Sequence, residues 1–255
     1  MEVSPLLADD SAGSIAAAAR IQRQAARPNL FVKIPGTPAG VPAIEESIYA
    51  GVPINVTLLF SREQYLAAAE AYLRGIERRI DAGLDPRVSS VASLFVSRWD
   101  KAVSGTVPNE LRNRLGIAIA GRAYRAYREM LASPRWRKLA AAGARPQRLL
   151  WASTGSKDPK ASETLYLEAL AAPDTIDTTP EKTLLAFAQR GAVAGAMRDD
   201  GGDAESVLAH FAQAGVEIGA LALKLQLEGA QAFVKSWQAL MQRIADKSKA
   251  LAAAG

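Results

Sequence analysis

The sequence predicts an α/β fold of the (β/α)8 TIM-barrel type, and two observations carry that reading. Short β-type runs alternate with longer helical runs along the chain, the order expected of parallel strands joined by helical crossovers. Within the short runs one parity is apolar and the other carries isolated polar groups, and successive strand residues face opposite sides. A strand covered by helices on both faces is apolar on both. A barrel strand instead turns one apolar face to the helices and its functional groups inward. No linker-like segment divides the 255 residues, so a single domain over 1–255 is expected.

Taken in order, Met1–Ser4 is the first strand candidate, and an Asp9-Asp10-Ser11 cap cluster opens a helix over 11–26. Leu30–Ile34 follows as a strand with Val32 and Ile34 on one face and Lys33 on the other. In Ile54–Phe60, the residues Ile54, Val56 and Leu58 oppose Asn55 and Thr57. Ser61 with Gln64 makes a capping box for a helix over 61–82 that stops at Gly83. Val91–Val96 sets Ser93 against Ala92 and Leu94, and Arg148–Ser153 sets Ser153 against Leu150 and Ala152. Thr175–Thr178 is a weaker strand, and Pro180 opens a helix over 181–189. A C-terminal helical segment fills about 203–250, including a long Ala/Leu/Lys-rich run from 216 onward.

Composition narrows the chemistry. Hydrophobic residues make up 49% and charged residues 22%, enough apolar surface to exclude a disordered chain. The absence of cysteine excludes a disulfide framework and Cys-ligated metal, and the lone His210 leaves no second histidine for a His-based metal site. No metal and no cofactor are expected. No apolar run approaches the ~20 residues that span a bilayer, and Met1–Pro5 lacks the features of a signal peptide. A cytoplasmic protein without a membrane partner is therefore expected.

The net charge of +5 is concentrated in residues 112–148, which hold ten Lys/Arg and one acid, Glu129. With Tyr124, Tyr127 and Trp136 interleaved, this stretch has the composition of a nucleic-acid surface. The plainer reading is a solvated helix face with Leu115, Ile119, Ala123 and Leu131 turned inward. The plainer reading is preferred, because no nucleic-acid motif accompanies the charge.

Lys33 is the most informative residue. Burial in a parallel strand disfavours the charged amine, and a neutral amine is what Schiff-base formation with a carbonyl requires. The competing reading is a lysine whose head reaches water at a strand end.

The surrounding motifs favour chemistry. Asn29-Leu-Phe-Val-Lys33-Ile-Pro-Gly-Thr-Pro-Ala-Gly40 is followed by Gly51-Val-Pro-Ile-Asn55-Val-Thr57-Leu-Leu-Phe-Ser61, Ser93-Leu-Phe-Val-Ser-Arg98-Trp-Asp100, Trp151-Ala-Ser153-Thr-Gly-Ser-Lys157-Asp-Pro159 and Asp174-Thr-Ile-Asp-Thr-Thr-Pro180. This series resembles the transaldolases over nearly the whole chain. Its Thr-Gly-Ser-Lys-Asp-Pro variant resembles the longer bacterial type, including transaldolases fused to glucose-6-phosphate isomerase.

The resemblance implies a metal-free Schiff-base enzyme of the pentose phosphate pathway. Such an enzyme moves a dihydroxyacetone unit between sedoheptulose 7-phosphate or fructose 6-phosphate and an aldose phosphate. Lys33 matches the imine-forming lysine of the fourth barrel strand, and Glu2 the third-strand glutamate that transfers protons through a water. Thr57 matches the residue holding that water, and Asn55 a residue bound to the dihydroxyacetone moiety. Ser93, Arg98, Ser153 and Lys157 are implied to bind substrate phosphate. The shorter family members have an arginine where Gly155 stands, so Lys157, or alternatively Lys160, takes that cationic role.

By the same resemblance the chain starts inside the third strand and carries about six of eight. The family's first strand bears the aspartate that accepts the proton during C3–C4 cleavage, and no counterpart precedes Glu2. Schiff-base and phosphate groups are thus expected, with cleavage deficient. Open parallel edges invite pairing with other chains, so association into an oligomer is expected. Two further readings stay open: a lysine-dependent sugar-phosphate aldolase that releases free dihydroxyacetone, and a non-catalytic barrel remnant that binds sugar phosphates, or RNA through 112–148.

Overall fold

A computed structural model describes residues 1–253. Its five strands are β1 (Val32–Pro35), β2 (Ile54–Leu59), β3 (Ser90–Phe95), β4 (Gln147–Ala152) and β5 (Ile176–Asp177). All are parallel and lie side by side in chain order. Each crossover therefore returns the chain to the next place in the sheet. The reversal of strand order that marks a doubly wound sheet is missing among the described residues.

The crossovers and flanks are helices α1 (Ser11–Ala25), α2 (Gly40–Tyr49), α3 (Arg62–Asp81), α4 (Ser97–Val103), α5 (Leu115–Ala132), α6 (Pro134–Ala141), α7 (Leu165–Ala169), α8 (Glu181–Arg190), α9 (Ala204–Gln213) and α10 (Ile218–Ala253). The cap chemistry legible in the sequence is realised. Asp10 accepts from the Gly13 N–H to start α1, and Ser61 with Gln64 forms the capping box of α3.

The first strand candidate is corrected. Met1–Ser4 makes only a single parallel bridge, Glu2 to Lys33, because Ser4 caps a 3-10 turn that begins at Pro5. Proline has no N–H to extend the ladder. The described sheet thus has five strands rather than six.

Strand parity holds in β1, where Val32 and Ile34 are fully buried and Lys33 faces the other way. It fails at two other places. The register shifts between Val56 and Leu59, and Leu58 adopts φ 60. This bulge takes Leu58 off the face shared by Ile54 and Val56 and turns it toward Lys33. In β4, the register sets Leu150 level with Ser93 and Trp151 level with Leu94. Leu150 and Ala152 therefore share the polar face with Ser93, and Trp151 turns to the helices. There the Trp151 indole donates to the Leu170 carbonyl at 2.9 Å.

The core lies between the sheet and α2, α3 and α5, where Ile34, Val56, Ala92, Leu94 and Leu149 are fully buried. Tyr124 and Tyr127 are fully buried and Trp136 nearly so. These aromatics are thus core groups rather than a stacking platform for bases. Half of the arginines and lysines in 112–148 are ion-paired: Arg114 with Asp203, Arg122 with Glu205, Arg125 with Glu129, Arg128 with Asp174, and Arg135 with Glu70 and Glu77. No single helix among the described residues is long and apolar enough to cross a membrane.

Candidate active site

The parallel strands bring their C-terminal ends to one edge, where α/β folds place their functional groups. Lys33 and Asn55 sit opposite one another in the β1–β2 register, and the bridge sets Glu2 beside Lys33 on the same face. The Lys33 ammonium lies 3.6 Å from the Glu2 carboxylate. Its side chain is 33% exposed, so the fully dry setting suggested by strand parity is replaced by a partly open one with an acid at hand.

Lys33, Glu2 and Thr57 line one small cavity of about 30 Å³, together with Pro35, Leu58, Ala230 and Phe233. The Thr57 hydroxyl is buried and has no hydrogen-bond partner. A buried hydroxyl without a partner carries a desolvation cost that a bound water or substrate oxygen removes. Glu2 is the only carboxylate lining this cavity among the described residues.

Ser93 donates to the Asn55 side-chain oxygen at 2.7 Å and is itself 2% exposed. The structure thus places Ser93 with the Lys33–Asn55 group on the sheet face, whereas Arg98 lies past the end of β3. Its hydroxyl holds the Asn55 amide in one orientation.

Arg98 follows β3 on the first turn of α4. Its guanidinium lies 5.0 Å from the centre of the Phe95 ring, and burial pushes its pKa down. It has no carboxylate partner among the described residues. Asp100, two residues on, does not pair with it. Asp100 is buried and accepts from the Leu115 and Gly116 N–H groups and from the Tyr166 hydroxyl. Burial still pushes its carboxyl pKa up against those three donors. Arg98 is left as an unpaired, half-buried cation on an aromatic face.

Ser153 follows β4 at φ 57 and brings its hydroxyl 3.1 Å from that of Ser97. Lys157 is exposed and lines a separate polar groove of about 160 Å³ with Ser97, Lys101 and Arg112. Lys33, Glu2, Thr57, Asn55 and Ser93 therefore form one group. Ser153 meets Ser97, which lines the groove with Lys157 beyond the ends of β3 and β4. Lys160 is also exposed.

The sequence reading missed the contribution of α10. Ala230 and Phe233 line the Lys33 cavity, and the Phe233 ring centre is 6.0 Å from the Lys33 ammonium. In the sequence they look like ordinary members of an apolar helical stripe.

Comparison with known proteins decides the family. The family model described as transaldolase/fructose-6-phosphate aldolase matches residues 1–244. The chain belongs to this family. A transaldolase of Parafrankia sp. (strain EAN1pec) is 42% identical over 256 residues, covering 97% of this chain and 69% of the relative. That of Thiobacillus denitrificans is 43% identical, covering 96% and 70%. That of Neisseria gonorrhoeae is 38% identical, covering 94% and 69%. These relatives carry the plain name, so the likeness is not specific to the isomerase-fused type. Among the described residues of this family member, no group of three or more His, Cys, Asp or Glu side chains is placed to hold a metal ion.

Proposed function

We propose that the chain is a transaldolase that carries a dihydroxyacetone unit on Lys33 between phosphorylated sugars of the pentose phosphate pathway. The observation that carries this reading is the Lys33–Glu2 pair on the face of β1, walled by apolar groups and bordered by Thr57. An amine adding to a ketone needs one proton removed from nitrogen and one delivered to the departing oxygen. A carboxylate 3.6 Å from the amine, working through a water, serves both transfers.

In this reading Lys33 attacks C2 of fructose 6-phosphate or sedoheptulose 7-phosphate, and water leaves to give the imine. Breaking C3–C4, with the C4 hydroxyl proton passing to Glu2, the only carboxylate lining the cavity among the described residues, releases the aldose phosphate and leaves the bonding electron pair in an enamine on Lys33. The enamine then attacks the aldehyde carbon of an acceptor aldose phosphate, and water hydrolyses the new imine. Asn55, oriented by Ser93, holds the hydroxyls of the three-carbon unit, and Thr57 holds the water. Arg98, with no competing carboxylate, takes the substrate phosphate with help from Ser153 and Lys157. The five strands belong, in this reading, to a (β/α)8 barrel, with α9 and α10 as its C-terminal segment.

Borohydride reduction with fructose 6-phosphate tests the assignment. A reduced three-carbon adduct on Lys33, lost in Lys33→Ala, is the expected result. An adduct on another lysine overturns the assignment of Lys33. A six-carbon adduct alone shows imine formation without cleavage and favours a sugar-phosphate-binding barrel remnant.

A further inference from the structure

We propose that α10 is the roof of the Lys33 cavity and that Phe233 is a specificity-determining residue, limiting the water that reaches the three-carbon intermediate. The inference rests on the transaldolase reading and goes beyond it. It assigns to this helix the choice between transfer and hydrolysis.

Three contacts hold the helix over the site. Gln226 is 7% exposed, and its side-chain amide donates to the Gly36 carbonyl at 3.0 Å and the Leu58 carbonyl at 2.9 Å. These carbonyls lie at the C-terminal ends of β1 and β2, the second presented by the bulge at Leu58. One amide thus fastens α10 across both strands. Gly229 allows the close approach. A Cβ there would lie 2.9 Å from Leu58 Cδ2 and 3.2 Å from Arg98 Nη1. Residues 226, 229, 230 and 233 share one helical face, so the same fastening carries Ala230 and Phe233 onto the cavity.

The chemical consequence follows from the enamine. With an acceptor aldehyde, its carbon forms a C–C bond. Without one, the same carbon takes a proton from water, and a second water hydrolyses the imine, releasing dihydroxyacetone and restoring the Lys33 amine. A cavity of about 30 Å³ holds roughly two water molecules. One of these has a place on the Thr57 hydroxyl. Excluding further water suppresses such side reactions, and Phe233 is the large apolar side chain that α10 contributes to this wall.

The test compares free dihydroxyacetone released from fructose 6-phosphate alone with sedoheptulose 7-phosphate formed when erythrose 4-phosphate is added. Phe233→Ala is expected to raise the release-to-transfer ratio roughly tenfold, equivalent to about 1.4 kcal/mol of barrier. Gln226→Ala, which unfastens the helix without altering the cavity lining, is expected to shift the ratio the same way. Phe233→Leu keeps an apolar wall and is expected to stay near the parent value. Phe233 is only half-buried, so its variants are expected to fold, as read by circular dichroism. An unchanged ratio in folded Phe233→Ala, with the three-carbon adduct still trapped on Lys33, overturns this inference alone. A parent protein that traps only the six-carbon adduct overturns the transaldolase reading and this inference together.

Discussion

Thr57 and Asp100 are opposite cases of a buried polar group. The Thr57 hydroxyl is buried without a partner, so the fold gains nothing from it in the unliganded protein. Replacing an unsatisfied buried group with an apolar isostere is neutral or stabilising, by up to about 1–3 kcal/mol. Thr57→Val is therefore expected to melt no lower than the parent while slowing Schiff-base turnover roughly 10²-fold, the lower range for a positioned proton-transfer group. Calorimetry beside borohydride-trapping kinetics reads both. A variant that loses stability and keeps its rate would make Thr57 a strand-packing residue. Asp100 is the contrasting case, since its carboxylate is saturated by two N–H groups of α5 and the Tyr166 hydroxyl. It fixes α4, α5 and α7 together and leaves Arg98, two residues earlier, free of a partner.

At the scale of elements, charge holds the outer helices together. Arg74 and Arg78 of α3 bind Glu45 of α2, and Arg135 of α6 bridges Glu70 and Glu77 of α3. Burial alone would push the Glu45 carboxyl up, but hydrogen bonds and charge from Arg74 and Arg78 bring it below 4.5. For Glu77 the Arg135 hydrogen bond is the largest influence and lowers it from the same value. A carboxyl with a folded-state pKa below its unfolded one binds fewer protons when folded. Its stabilisation is present above 4.5 and is lost as pH falls through the folded value. The urea midpoint is thus expected to fall as the pH drops below 4.5, and Glu45→Gln with Glu77→Gln to flatten that fall. A double variant with the parent's acid profile would move the source of acid lability elsewhere.

At the scale of the molecule, α10 divides into two parts. Ala222, Leu225 and Gln226 are buried against the body, whereas every residue from Gln238 to Ala252 is exposed. Leu240, Met241 and Ile244 are among them. Deleting 240–255 removes no buried contact of the described helix, so the melting free energy should move by no more than about 0.5 kcal/mol. Cutting before Gln226 removes the fastening and the roof together and should cost stability and open the Lys33 cavity. Equal losses from the two cuts, measured by urea denaturation, would show that the distal half of the helix has a partner.

By itself the sequence determined the parallel α/β architecture, the places of the strands in β1 to β5, the caps of α1 and α3, and the strand face on which Lys33 lies, while Asn55 and Thr57 came forward through the family resemblance. All but those two rest on local chemistry: a period of two, a side-chain oxygen three residues before an N–H, and a lysine among apolar strand residues. Only the tertiary structure decided that Met1–Ser4 stops at one bridge, that Leu58 and Trp151 leave the faces their parity assigns, and that Ser93 serves Asn55. It alone brought α10 back across 190 residues of sequence to the Gly36 carbonyl. The physical reason is common to all four. A bulge, an ended ladder or a distant amide is chosen by which buried carbonyls and N–H groups still lack a partner, and that is settled only once the strands and helices have met.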